Sequence, residues 1–388
     1  MKRIYLDTAA ATPLDRRVAA AMRPWLERGF GNPSSLHQEG VAAASALAAA
    51  RAAAGRALGA LPDEIIFTAG GTEANNLAIT AAAGGAVMVS AIEHPSVLTP
   101  CLAAGRVIIA PSLPTGQIDL KKFAELLTPK VKLVSVMYAN NEIGAIEPLA
   151  EIAKIIRRVR KRAGMPYPYF HTDACQVGRF LPLDVRQLGV DLMTINAGKL
   201  YGPKGVGLLY IRRGVLLPSP LLLGGGQEAG RRAGTENVPG IVGLASALAL
   251  AGKLRDREAI KLSGLRDWLW QEIKRVVPEA QLNGHLNNRL PNNLNLYFPG
   301  VLAEQLVLEL DAKGVAVSTG SACSIPKADD SYVIIALGHS RERATGSIRI
   351  SLGRDTTKEQ LKQLIKVLPP IINKLTHANH AYAADLNL

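Results

Sequence analysis

The chain has 388 residues, 48% of them hydrophobic and 20% charged, with a formal net charge of +13 and three cysteines. That length predicts two domains around separate cores, and the composition excludes fibrous and disordered classes. Cys101, Cys175 and Cys323 are too few for a disulfide scaffold and lack the close pairing of a zinc site, so a reducing compartment fits best.

The N-terminus, MKRIYLDTAAATPLD, has no long apolar stretch after its basic residues, so no signal peptide is expected. Apolar segments are interrupted by Arg, Gly or Pro before reaching the roughly 20 residues of a membrane span. The expectation is a cytoplasmic protein. Residues 41–61 have the composition of a helix. Residues 64–70, EIIFTAG, read as a short strand ending in glycine, and GTEANNLAITAAA as a helix. AVMVSAIEHPS is a strand then a loop, RVIIAPS a strand, LKKFAELLT an amphipathic helix and KLVSVMYANNE a strand. IAKIIRRVRKRAG is a helix whose basic end, Arg157 to Arg162, complements the helix dipole before a Gly164 cap. That reading accounts for the densest basic run without nucleic acid, and no nucleic-acid module signature accompanies it. YPYFHTDA and VDLMTINAG are strands.

Strands alternating with helices over residues 13–255 predict a large α/β domain on a mainly parallel sheet. Residues 1–12 and 256–388 are expected to form a smaller α+β domain. It comprises a long amphipathic helix from residue 255, strands NLNLYFP and SIRISLG, and helix AEQLVLELDAKG between them. The last residues, THANHAYAADLNL, lack clear periodicity and are expected to fray.

Ligands of open parallel sheets bind beyond the carboxyl ends of the strands. The polar groups just after strands are Thr72, Glu73, His94, Asn140, Asn141, Asp173, Gln176 and Lys199. The glycine turn at Gly71, opening a helix with Thr72, offers free N–H groups to a phosphate, although such a turn often only reverses the chain. Asp173, at the end of a central strand, is either a structural acceptor or the partner of a protonated pyridine nitrogen. Lys199 can form a Schiff base when desolvation lowers its pKa, with Lys204 as the competing lysine. His94 can stack on a ring or move protons near neutral pH, or be an ordinary loop histidine. Cys323 sits among small residues in a loop at about 318–331, a placement unlike the usual buried cysteine. Cys101 and Cys175 read as core.

The ordered motifs YLDTAAATP, GNPSSLH, FTAGGTEANN, EHPSVL, NNEIGAIEP, HTDACQVG, KLYGPKGVGLLY, GGGQEAGRRAGTENVPGIVG, STGSACS and SIRISLGR run nearly end to end. With them the chain resembles the cysteine desulfurases of the class V aminotransferase family, in the group I, iron–sulfur/nitrogenase-type branch. The resemblance implies a fold type I pyridoxal-phosphate enzyme, an α/β protein acting as a homodimer with its site at the subunit interface. It implies Lys199 as the cofactor lysine and proton carrier, His94 stacking on the ring, and Asp173 on its nitrogen. Gln176 would bond the ring oxygen, with Asn141 beside cofactor and substrate. Gly71, Thr72 and Asn196 would hold phosphate, joined by Thr235 from the neighbouring subunit. Arg349 would clamp the carboxylate of L-cysteine, helped by Asn32. Cys323 would take the sulfur as a persulfide and pass it to an acceptor protein of iron–sulfur or thio-modification pathways. No membrane and no direct nucleic-acid contact is implied. One departure stands out: the histidine usual before the cofactor lysine is Gly198 here. Rival readings are a selenocysteine lyase, another enzyme of the same fold, and a non-catalytic sulfur-relay subunit.

Overall fold

In the computed structural model, which describes residues 3–82, 84–218, 220–320 and 330–385, a short strand β1 (Ile4–Tyr5) leads to helices α1 (Arg16–Glu27) and α2 (Gln38–Leu58). His37 caps α2 by accepting from the Gly40 amide, and Gly59, at φ 67°, ends it. A left-handed residue at that place satisfies the last carbonyls, and only glycine takes it without strain.

The main sheet follows, built from β2 (Ile65–Thr68), β3 (Ala86–Ser90), β4 (Val107–Ala110), β5 (Val131–Ser135), β6 (Tyr169–Asp173), β7 (Leu192–Asn196) and β8 (Gly207–Ile211). The order is β2-β8-β7-β6-β5-β3-β4. Strand β8 runs against both its neighbours and the other pairings are parallel. The central strands are buried almost throughout, as expected of a sheet covered on both faces. Its connections carry α3 (Gly71–Ile79), α4 (Pro95–Ala103), α5 (Leu120–Leu126), α6 (Leu149–Ala163) and α7 (Val185–Leu188). Helix α6 ends at Gly164, φ 64°, and its Arg160 turns back to Asp191 and the Pro168 carbonyl. Part of the basic run is therefore structural.

Helix α8 (Val238–Val276) starts 17 residues before the helix expected from residue 255 and passes that residue without a break. Asn237 caps it by accepting from Gly240. Its length and apolarity would suffice to cross a membrane, contrary to the expectation that no segment approaches a span. Half of that apolar window is buried, with Ile241, Leu244, Ala247 and Leu248 in the main core.

The remaining elements are β9 (Gln281–Leu282), β10 (Asn293–Tyr297), α9 (Ala303–Ala312), β11 (Val315–Ala316), α10 (Tyr332–Ala336), α11 (Arg341–Thr345), β12 (Ser347–Ser351) and α12 (Lys358–Asp385). A three-stranded sheet orders them β12-β10-β9, and β1 pairs in parallel with β11. Asp7 bridges to Ser351, so the N-terminal segment is laid along the last strand. Residues 376–385, expected to lack regular structure, continue α12.

Candidate active site

At the carboxyl edge of the main sheet lies a cavity of about 270 Å³. Gly71, Thr72, His94, Asn141, Asp173, Gln176, Asn196, Lys199 and Arg349 all line it. These residues are spread over most of the chain; parallel strands of the main sheet bring all but Arg349 to one rim because each delivers its next loop to the same edge, and Arg349 enters from β12 of the smaller sheet.

Lys199 closes a single helical turn directly after β7. Its Nζ donates to the Ala9 carbonyl at 2.9 Å and to the Ala10 carbonyl. Lys204 donates instead to Thr12 at 3.3 Å and does not line the cavity. Asp173 ends β6, and each of its oxygens accepts an N–H: Oδ1 from the Cys175 amide at 2.9 Å, Oδ2 from Asn75 at 2.8 Å. Gln176 is oriented by donating to the Ala9 carbonyl at 3.0 Å.

His94 caps α4 with its ring: the Ser96 amide donates to Nδ1 at 3.1 Å, and the Ser96 hydroxyl lies 2.8 Å from the same nitrogen. Burial holds its pKa below the usual value; nearby Asp173 opposes this and Lys199 adds to it. A neutral ring follows at neutral pH, because desolvation penalises the imidazolium.

Opposite Asp173, α3 begins at Gly71, leaving its first amides without acceptors inside the helix. A Cβ at Gly71 would stand 2.9 Å from the Cys175 sulfur, so the glycine allows the helix end to approach the floor of the cavity. Asn196 accepts from the Gly198 amide through Oδ1 at 3.0 Å. Its Nδ2 lies 3.5 Å from where a Gly71 Cβ would be, directed to the helix N-terminus. The Gly198 amide is therefore occupied, and the donor offered at this rim is the Asn196 amide group.

Arg349, on β12, is 2% exposed. It pairs with Asp7 at 2.8 Å and donates to the Asn141 carbonyl at 3.1 Å, while its Nε has no partner. Glu142 also lines the cavity, accepting from Ser331 at 2.5 Å; burial pushes its carboxyl up, against the influence of Ser331 and Arg349.

Two expected residues lie elsewhere. Asn32 is exposed, with its side chain accepting from the Ser34 amide, and does not line the cavity. Thr235 is exposed and lines a separate space of about 110 Å³. Its segment is fixed by Gln227, which accepts from Gly234, and by the Arg232–Glu73 pair. Glu228 adopts φ 51°, rare for a residue with a side chain, while its carboxylate grips Arg51 and the Phe67 amide. Asn140 and Glu73 from the rim list serve the fold: Asn140 bonds Ile92, Glu142 and Ile143, and Glu73 caps Ala69. Cys323 lies outside the described residues.

Sequence reasoning missed Asn75, Ser96 and Glu142, and it placed Cys175 in the core. Cys175 instead lines the cavity floor, and burial raises its thiol pKa well above the usual value. Only the side-by-side approach of α3 and β6 reveals these roles. The EHPS run did hold a legible signal, since a polar residue before Pro and Ser is a helix-capping pattern.

The residues fit pyridoxal phosphate: an open helix N-terminus with Thr72 and Asn196, a carboxylate across the cavity, a lysine on its wall and an imidazole beside it. A family model described as Aminotransferase class-V matches residues 4–364. The chain is 45% identical over 386 residues to cysteine desulfurase IscS of Dictyoglomus turgidum, spanning 97% of this chain and 96% of that one. A solved NifS-like protein from Rickettsia africae is 32% identical with a TM-score of 0.87, over 96% of this chain and 99% of that one. A structure described as SspA in complex with cysteine is 32% identical with a TM-score of 0.76, over 90% and 98%.

Proposed function

The chain belongs to the aminotransferase class-V family, within which it is a cysteine desulfurase, and we propose that it works with pyridoxal phosphate on Lys199 and delivers sulfur to Cys323. The observation that carries this reading is the convergence of Lys199, Asp173, His94 and Arg349 on one cavity from four separate elements.

The reaction balances without an outside oxidant. L-cysteine and the Cys323 thiol become L-alanine and a Cys323 persulfide; the carbon–sulfur bond breaks, a sulfur–sulfur bond forms and the thiol proton ends on alanine. When bound, the cofactor supplies an electron sink for the charge left at the substrate's Cα. Asp173, held by two N–H donors, presents its carboxylate to the ring nitrogen and favours its protonated form. Thr72, Asn196 and the first amides of α3 hold the phosphate, where the positive helix end favours an anion. Arg349 orients the substrate carboxylate through the N–H groups left free by Asp7 and Asn141. Lys199 would attach the cofactor and then carry the Cα proton, and His94 would face its ring.

A homodimer completes the site. Thr235 is exposed and stands apart from its own chain's cavity, as a residue serving a partner's phosphate must. Leu36 and Phe30, on the segment that bears Asn32, are 97% and 83% exposed, suited to a second copy. The persulfide passes to an acceptor protein in a reducing, cytoplasmic setting.

The test is alanine released from L-cysteine by purified protein with pyridoxal phosphate and a thiol reductant, and no keto acid. Sustained alanine with matching sulfide is expected. Cys323→Ser should keep the cofactor absorbance and lose persulfide. Alanine and sulfide formation unchanged in that variant would remove Cys323 from the mechanism, and no alanine from the parent protein would overturn the reading as a whole.

A further inference from the structure

Asn75 has no place in the mechanism above, yet it is completely buried and lies between two of its groups. One Nδ2 hydrogen goes to Asp173 Oδ2 and the other to Ser96 Oγ, both at 2.8 Å. The Ser96 hydroxyl is in turn 2.8 Å from His94 Nδ1.

The directions of these bonds follow from Asp173. A flipped Asn75 amide would set its oxygen against a carboxylate oxygen at 2.8 Å, so the NH₂ must face Asp173. The second hydrogen of that group then points at Ser96, which must accept it. The Ser96 backbone amide already makes His94 Nδ1 an acceptor, so the Ser96 hydroxyl, itself accepting from Asn75, gives its hydrogen to that nitrogen. Nδ1 thus receives two donors.

We propose that Asn75, anchored on Asp173, is a positioning residue that sets the Ser96 hydroxyl as a donor to His94, holding the imidazole neutral with its proton on Nε2. The ring then offers the cavity a hydrogen-bond donor and no base at Nε2. The reading of the cavity as a desulfurase site gives this device its purpose, and the proposal rests on it to that extent.

Among the described residues, the titratable groups that share the cavity with the ring are Asp173 at the end of β6 and Cys175 beyond it, Lys199 after β7, Glu142 after β5, Tyr332 on α10 and Arg349 on β12. Glu93, next in the chain, turns its carboxyl to Ser90 and the Met137 amide. Among these, the path from Asp173 to His94 runs through Asn75 and Ser96, both fully or nearly fully buried. Burial, the largest influence, and Lys199 act on the ring in the same direction as this path, and the charge of Asp173 acts against it.

The experiment is ¹⁵N NMR of histidine-labelled full-length enzyme with pyridoxal phosphate bound, following His94 over a pH series. The expected result is a single Nε2–H tautomer in the parent protein. In Asn75→Ala the midpoint of ring protonation should rise by roughly one pH unit, the scale of one lost hydrogen bond. Ser96→Ala should shift it likewise and Ser96→Thr, which keeps the hydroxyl, should restore it; this pair carries the test if Asn75→Ala does not fold. A parent His94 protonated at Nδ1, or a titration unmoved by Asn75→Ala or, failing its folding, by Ser96→Ala, would overturn the proposal. The readout needs no turnover: an unmoved titration with normal alanine release sinks the positioning role alone. An Nε2–H tautomer without alanine release sinks the desulfurase reading instead.

Discussion

Replacing Gly198 by histidine tests the rim proposed to hold the cofactor's phosphate. Gly198 is not among the glycines with positive φ, and a Cβ there would lie 3.4 Å from Asn196 Oδ1 and 3.6 Å from Lys204 Cγ. A side chain therefore enters at ordinary contact distance. It would add one donor to a rim that now offers Thr72, the Asn196 amide and the first amides of α3. A hydrogen bond to a charged group contributes about 1.5–3 kcal/mol, or roughly 10- to 150-fold in a dissociation constant. Gly198→His should bind pyridoxal phosphate more tightly by a factor in that range. Asn196→Ala should weaken binding comparably, since it removes a donor and leaves the Gly198 amide without its acceptor. The assay is dialysis of the loaded enzyme followed by titration with pyridoxal phosphate, read as cofactor absorbance. Equal retention in Gly198→His, together with undiminished binding in Asn196→Ala, would refute the assignment of this rim to the phosphate.

Lys199→Ala should abolish the absorbance of the lysine-bound cofactor while Lys204→Ala retains it; the reverse would move the attachment to the lysine on Thr12. Arg349→Lys keeps the charge but loses the planar fork, so the KM for L-cysteine should rise roughly tenfold or more with the cofactor spectrum unchanged. An unchanged KM would show that the carboxylate binds elsewhere. Burial pushes the Glu147 carboxyl up to about 8, from an ordinary value of 4.5. Between those values the folded state holds a proton that the unfolded state has lost, so stability falls as pH rises through this window and levels above it. The slope is at most about 1.4 kcal/mol per pH unit for one group. Glu147→Gln should flatten the decline of the urea midpoint between about pH 5 and about pH 8; an identical slope would mean the carboxyl is already ionised.

The rim was legible because it depends on local pattern. Thr72, His94, Asp173, Gln176 and Lys199 each end or follow a buried strand, and parallel strands must deliver them to one edge. What the sequence concealed depends on approach between distant segments. Strand β8 reads as GLLYI, apolar enough for any buried strand, and nothing in it tells that it runs against its neighbours. The start of α8 was hidden because VPGIVGLASALALAG is apolar on most faces, although Asn237 followed by Pro239 marks a helix start. Asn75 sits in a helix opening and looks like any polar surface residue until β6 is placed beside it. Cys175 follows a strand, as the rim residues do, but its smallness drew it into the core by composition alone.

The N-terminal segment shows why such concealment concerns function and not only packing. Asp7 pairs with Arg349, the Ala9 carbonyl accepts from Gln176 and Lys199, and the Ala10 carbonyl accepts from Lys199 as well. The same segment is fixed to the last strand: the Thr8 hydroxyl donates to the Leu352 carbonyl at 2.8 Å and the Ala9 amide to Ser351 Oγ at 2.9 Å. Three of these contacts with the site are made by two backbone carbonyls of alanine, which no side-chain motif can announce. They couple the group assigned to the substrate carboxylate with the group assigned to the cofactor, through four consecutive residues. A lysine whose Nζ donates to two carbonyls would have to exchange those bonds on attaching a cofactor, and the carbonyls, tied to the last strand, would not follow it. The segment therefore sets the position from which Lys199 works and the direction in which Arg349 faces, and a displacement of either end would be felt by both.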